Sequence, residues 1–309
     1  MNKTLSNQKR KLTTIKNKIL KARDFHLEAE NLSNTESILT ALKSDKKSVQ
    51  VNYEENGEIR SYLYDYVDMI DSISPYPLVS NFIESNTSET YQSLLNGCFC
   101  SVMGDMASAK YLAKGGSNFD TDICLNILFA LAYLDDTYVE FLIDKLAYFK
   151  EAQVEKGKKV IFFSAKSLLP LVVFLYGNGK GDRLANLLEN ACDAKYQPLD
   201  SNPYDNVNDA YKQVMETIFS EDVAIFRETI LSMCDYHLAN TKDSHLVEFN
   251  TLLWQYFPIE ILVLLKERQK RGLPIDGLSH PLLDDFLPYF MDDFQISEQN
   301  KMILGTILD

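Results

Sequence analysis

Cations are scarce in this chain where acids are plentiful, and the usual signatures of enzyme chemistry are missing. The 309 residues carry 31 Lys plus Arg against 44 Asp plus Glu, a net charge of −13. Residues 1–181 are near balance, with 21 bases and 22 acids, whereas residues 182–309 hold 10 bases and 22 acids. That deficit argues against nucleic-acid binding, which needs a basic footprint. It also makes the second part of the chain attractive to a cationic partner.

Long hydrophobic runs are missing too. The longest apolar stretch, VIFFSAKSLLPLVVFLYG at 160–177, is interrupted by Lys166 and Pro170, and a membrane span needs about 20 mostly apolar residues. We expect a buried helix or helix pair there and no membrane partner. The N-terminus, MNKTLSNQKRKLTTIKNKIL, is basic but has no apolar run with a small-residue cleavage site behind it, so no secretory leader is expected. Cys98, Cys100, Cys124, Cys192 and Cys234 are odd in number and lack framework spacing, which fits reduced thiols in a cytoplasm.

No Gly-x-Ser-x-Gly elbow or His-Glu-x-x-His pair occurs, and His26 and His280 stand alone. YGNGKGDR at 176–183 invites a phosphate-loop reading, but that loop needs Gly at 174 and Ser or Thr at 181, where the chain has Phe174 and Gly181. CDYHLANTKDSHLVEF at 234–249 sets out Asp235, His237, Asp243 and His245, two Asp-x-His units that would hold a divalent ion if a loop folded them together. A polar helix end followed by a cap is the commoner use of such residues. Cys98 and Cys100, two apart, point to different faces of a helix and make a poor chelating pair. Neither an enzyme, nor a cofactor, nor a bound metal is expected.

What is present is mostly helical grammar. Leu12, Ile15, Ile19, Leu20, Ala22 and Leu27 stripe a basic helix over 8–32, whose basic face reads as solvated. SVQVNYEENGEIRSYLY alternates Val49, Val51 and Tyr53, turns at Asn56-Gly57 and returns through Ile59, Tyr62 and Tyr64, a small β-hairpin near the N-terminus. Ser74-Pro75-Tyr76-Pro77 suggests a boundary, giving an N-terminal region 1–80 and a helical-repeat domain 81–309 within one continuous structural unit. Breaks are expected at Gly104-Asp105, Leu134-Asp135, Gly181-Asp182 and Glu221-Asp222, and at the first, third and fourth the acid is placed to cap a helix. The fold class that follows is mostly α, an irregular α-solenoid of stacked helical hairpins. Trp254, in FNTLLWQYFP, reads as a core anchor.

Residues 257–290, FPIEILVLLKERQKRGLPIDGLSHPLLDDFLPYF, join an apolar helix, 258–271, to a cation-rich end, a left-handed cap at Gly272 and a stop at Pro274. An acidic element follows. Asp276, Asp284, Asp285, Asp292, Asp293 and Glu298 lie between Gly272 and Asn300, with no Lys or Arg among them. They are the candidate partner-binding residues.

Residues 215–290 resemble the Immunity protein 49 family, antidotes carried beside polymorphic toxins in bacterial competition. The likeness lies in METIFSEDVAIFRETILSMCDYHLANTK, in FPIEILVLLKERQKRGLPIDG and in the closing HPLLDDFLPYF, while MGDMASAKYLA resembles the family's middle region. It implies a non-catalytic protein that neutralises a cognate toxin by direct contact, a nuclease with a basic groove being one such toxin class. An α-solenoid scaffold or regulatory adaptor is the alternative from another class, and a metal-dependent hydrolase on the Asp-x-His pairs a third.

Overall fold

Leu12, Ile15 and Ile19 recur at helical spacing and are buried together on α1 (Lys3–His26). The computed structural model describes residues 3–111, 120–155, 161–162, 167–176, 191–192, 207–244 and 247–308. Helix makes up 67% of it. The helix expected over 8–32 stops earlier: the chain turns at Leu27 and restarts as α2 (Ala29–Lys43), which buries Ile38, Ala41 and Leu42. No Gly or Pro stands at that turn, so nothing in the residue types announced it.

The hairpin forms over β1 (Ser48–Glu55) and β2 (Glu58–Asp65), paired antiparallel with Val51 opposite Tyr62. Asn56 and Gly57 take φ of 55° and 80°, the left-handed pair that a tight two-residue turn requires. A second, two-residue parallel pairing joins β3 (Ile161–Phe162) to β4 (Ala191–Cys192).

The chain divides into two compact units, each built from two separated stretches. One comprises residues 16–116 and 293–309, the other residues 1–15 and 117–292.

In the unit of residues 16–116 and 293–309, Asp65 closes a capping box onto α3 (Tyr66–Asp71), and α4 (Tyr76–Glu84) leads to α5 (Ser88–Lys110), capped by Thr87. Helix α5 is the hub, packed by α3, α4 and α13 (Glu298–Leu308). It runs straight through Gly104-Asp105, where a break was expected. Gly104 has another purpose: a Cβ there would collide with the Asp71 carboxylate, so the residue admits a close neighbour. The segment entering α13 is held by polar side chains of α5. Gln92 Nε2 donates to the Asp293 carbonyl at 3.0 Å and its Oε1 accepts from the Gln295 amide at 3.0 Å. One turn on, Asn96 bonds the Gln295 carbonyl at 3.0 Å and the Ser297 amide at 2.8 Å. Two amide side chains thus satisfy backbone groups as a neighbouring strand would.

In the unit of residues 1–15 and 117–292, α6 (Asp120–Tyr133) and α7 (Asp136–Glu155) separate at Leu134-Asp135 as expected. Helices α8 (Leu168–Tyr176), α9 (Asp209–Thr217), α10 (Val223–Ala239), α11 (Leu252–Tyr256) and α12 (Ile259–Lys270) follow. Asp222 caps α10, its Oδ1 accepting from the amides of Ala224 at 2.9 Å and Ile225 at 3.3 Å. Trp254 is 1% exposed and stacks on Phe257 at 6.4 Å. The start of α1 belongs here, with the Lys11 ammonium donating to the Leu238 carbonyl, so part of the basic face is spent on packing. Burial and the nearby Lys242 lower the Lys11 pKa. Among the described residues no helix is long and apolar enough to cross a membrane. Gly181-Asp182 and the glycine turn 177–183 lie outside the described residues.

Candidate functional site

Helix α12 begins after Pro258 and ends at Lys270, and Gly272 takes φ 74° as its left-handed exit requires. Its cations divide between interior and surface, Lys266 and Arg268 buried and Lys270 and Arg271 exposed. Lys266 is buried with its ammonium 3.8 Å from the centre of the Tyr133 ring. Arg268 is 0% exposed and serves as a clamp: Nε donates to the Pro274 carbonyl at 2.8 Å, and Nη1 donates to the carbonyls of Ile218 at 2.6 Å and Ser220 at 2.7 Å. Its guanidinium also lies 4.0 Å from the Phe226 ring centre. That clamp fixes the start of the acidic segment against α9 and α10.

Beyond Pro274 the backbone proceeds in turns. The carbonyls of His280, Leu283 and Phe286 each accept from the residues three and four further on, at 2.8–3.0 Å. A step of three carries Leu282, Leu283, Phe286 and Phe290 inward and leaves Asp284 exposed. Asp276 is exposed as well, its carbonyl taking a 2.6 Å bond from Arg227 Nε. Asp285 and Asp292 are half-buried. Asp293 and Glu298 are exposed and belong to the other unit. Asp284 accepts from the His280 amide at 2.9 Å, and Glu298 lies 2.7 Å from Lys301.

A second constellation was not read from the sequence. His237 on α10 and Glu260 on α12 are both fully buried, with Nδ1 2.8 Å from Oε1. The other ring nitrogen lies 3.2 Å from the Gln255 carbonyl. Both ring nitrogens therefore face oxygen atoms, and the Phe249 ring lies tilted over the imidazole at 3.9 Å. Glu248, 4% exposed, accepts from the Ser167 amide at 2.7 Å. Burial pushes its pKa up to about 7, opposed by hydrogen bonds from Tyr236 and Ser167. The Tyr236 hydroxyl is raised by its own burial and by Glu248. Oε2 of Glu248, Oε2 of Glu260 and the Tyr211 hydroxyl are buried without a hydrogen-bond partner among the described residues. The signal available in the sequence was Glu260 itself, an acid set in the apolar run PIEILVLL.

The Asp-x-His expectation resolves into separate environments. Asp235 is exposed and accepts from Gln8, whereas His237 faces Glu260 and Asp243 accepts from Gln255 Nε2 at 3.2 Å. His245 lies outside the described residues. Among the described residues no group of His, Cys, Asp and Glu is placed to hold a metal ion. Cys98, Cys100, Cys124 and Cys234 are buried thiols, and burial pushes Cys100 up to about 12.

An open cavity of about 300 Å³ in the unit of residues 16–116 and 293–309 is lined by Asp45, Lys47, Asp65, Tyr66, Val67 and Tyr111. Charges of both signs line it, which favours no single ligand charge. No protein-family model, curated protein or solved structure matches the chain.

Proposed function

We propose that this chain is a non-catalytic immunity protein that binds and neutralises a cognate toxin in the cytoplasm. In this reading it is an irregular array of stacked helical hairpins whose acidic C-terminal region meets a basic toxin surface. The observation that carries the reading is the segment after Gly272. It is pinned by the Arg268 clamp and by buried Leu282, Leu283, Phe286 and Phe290, while Asp276 and Asp284 stay in water. A fixed carboxylate surface steers a cationic partner and raises the association rate. The likeness of 215–290 to the Immunity protein 49 family supplies the partner class.

The test is co-purification with the toxin encoded beside the gene, followed by assay of the toxin's activity. Stoichiometric inhibition supports the proposal. A stable chain that neither binds nor inhibits that toxin would move the reading to an adaptor.

A further inference from the structure

The hairpin carries a surface that the acidic region does not use. The outer edge of β1 is closed: Asn34 of α2 bonds the Asn52 carbonyl at 2.7 Å and amide at 3.3 Å, and Glu30 accepts from the Glu54 amide at 2.6 Å. In a two-residue hairpin the residues flanking the turn form a bonded pair, and bonded and non-bonded pairs then alternate. Even-numbered residues of β1 therefore turn their backbone groups outward, as Asn52 and Glu54 do. By the same alternation Ile59, Ser61 and Leu63 turn theirs outward on β2, and none of these bonds to a described residue. Ile59 is 77% exposed and Leu63 73% exposed. Natural edges are blunted by charged side chains, Pro or a bulge. EIRSYLYD has no Pro, its register runs unbroken from Ser48↔Asp65 to Glu55↔Glu58, and its charges Glu58, Arg60 and Asp65 leave the stretch Ser61–Tyr64 uncharged.

We propose that β2 pairs antiparallel with β2 of a second copy about a two-fold axis at Ser61, making a four-stranded sheet. The occupant follows from the strand's own pattern, since a two-fold interface must be self-complementary. Read outward from Ser61, β2 gives Arg60 and Tyr62, then Ile59 and Leu63, then Glu58 and Tyr64, so a two-fold axis there sets apolar against apolar and brings no like charges together. With the axis at Ser61, Ile59 faces the partner's Leu63 and Arg60 faces the partner's Tyr62, a cation on a ring. Moving the axis to Arg60 sets two like charges opposite. Moving it to Tyr62 sets Ile59 against the partner's Asp65, whose amide is already used by Asp68. One strand pairing falls short of the roughly 1,200 Å² of a standard interface, so the dimer depends on concentration. Each copy carries −13, so added salt strengthens it by screening.

Sedimentation velocity of the full chain up to about 500 μM tests the pairing, since affinities of this order have small free energies. A mass shift toward dimer is expected, larger at high salt and lost in Leu63→Lys. Register is tested by oxidising Ser61→Cys and Ile59→Cys against the parent. Opposed Cα atoms in a bonded pair lie about 5.5 Å apart, within disulfide range. Two Ile59 positions are offset by four residues, about 13 Å. Ser61→Cys is therefore expected to cross-link and Ile59→Cys to stay monomeric. A monomeric parent at every concentration, or equal cross-linking of both variants, overturns the proposal. Loss of toxin binding in Leu63→Lys with a monomeric parent also overturns it and gives the edge to the toxin.

Discussion

Glu248 is a carboxyl in a place that favours its neutral form. Its folded pKa of about 7 lies above the ordinary glutamate value of 4.5, so its contribution to stability is full below 4.5 and is lost as pH rises through about 7. The difference is about 3 kcal/mol at pH 8. Glu248→Gln should remove that dependence, improving stability relative to the parent by about this amount between pH 4.5 and pH 8. Chemical denaturation at the two pH values reads it, and an equal offset at both would refute the assignment. His237→Ala strands Glu260 without its partner and is expected to cost about 3–5 kcal/mol, with Glu260→Gln restoring part of the loss. If the double variant is no more stable than His237→Ala, the pair carries no coupling. Trp254→Ala should cost about 3–5 kcal/mol because the ring is 1% exposed. Trp254 was legible because apolar residues surround it in sequence. Glu248 and Glu260 were not, since an acid's burial depends on partners supplied by Ser167, Tyr236 and His237 from distant segments.

Where an element's end is chosen by local chemistry, the residues declared it. Asn56-Gly57 made the hairpin, Asp222 capped α10 and Gly272 released α12, each through backbone geometry or a bond within a few residues. Asp222→Ala should accordingly cost about 1 kcal/mol. Where tertiary contact chose, the same signals misled. Gly104-Asp105 resembled a helix boundary, yet the glycine makes room for Asp71 in mid-helix. On helix propensity alone Gly104→Ala would stabilise by about 1 kcal/mol. A Cβ there meets only the tip of the exposed Asp71 side chain, which can swing into water, so Gly104→Ala is expected to keep part of that gain, and a lowered melting temperature would contradict it. The step-of-three turns after Pro274 were equally invisible, since alternating acids and apolar residues suit a helix as readily.

At the scale of the molecule, each unit gathers two distant stretches, an arrangement that punctuation at Ser74–Pro77 could not disclose. The acids divide accordingly, Asp276, Asp284, Asp285 and Asp292 in one unit and Asp293 and Glu298 in the other. Their exposure sharpens the choice of variant: Asp276, Asp284 and Asp293 stand in water, whereas Asp285 and Asp292 are half-buried. Asn at 284 can still accept from the His280 amide, so the fold should survive neutralisation. The most direct measurement is stopped-flow association of the triple variant Asp276→Asn, Asp284→Asn, Asp293→Asn with the proposed cognate toxin, at low and high salt. Association slower than the parent's by about tenfold at low salt is predicted, with a flattened salt dependence and an unchanged denaturation midpoint. Equal low-salt rates for variant and parent would contradict it.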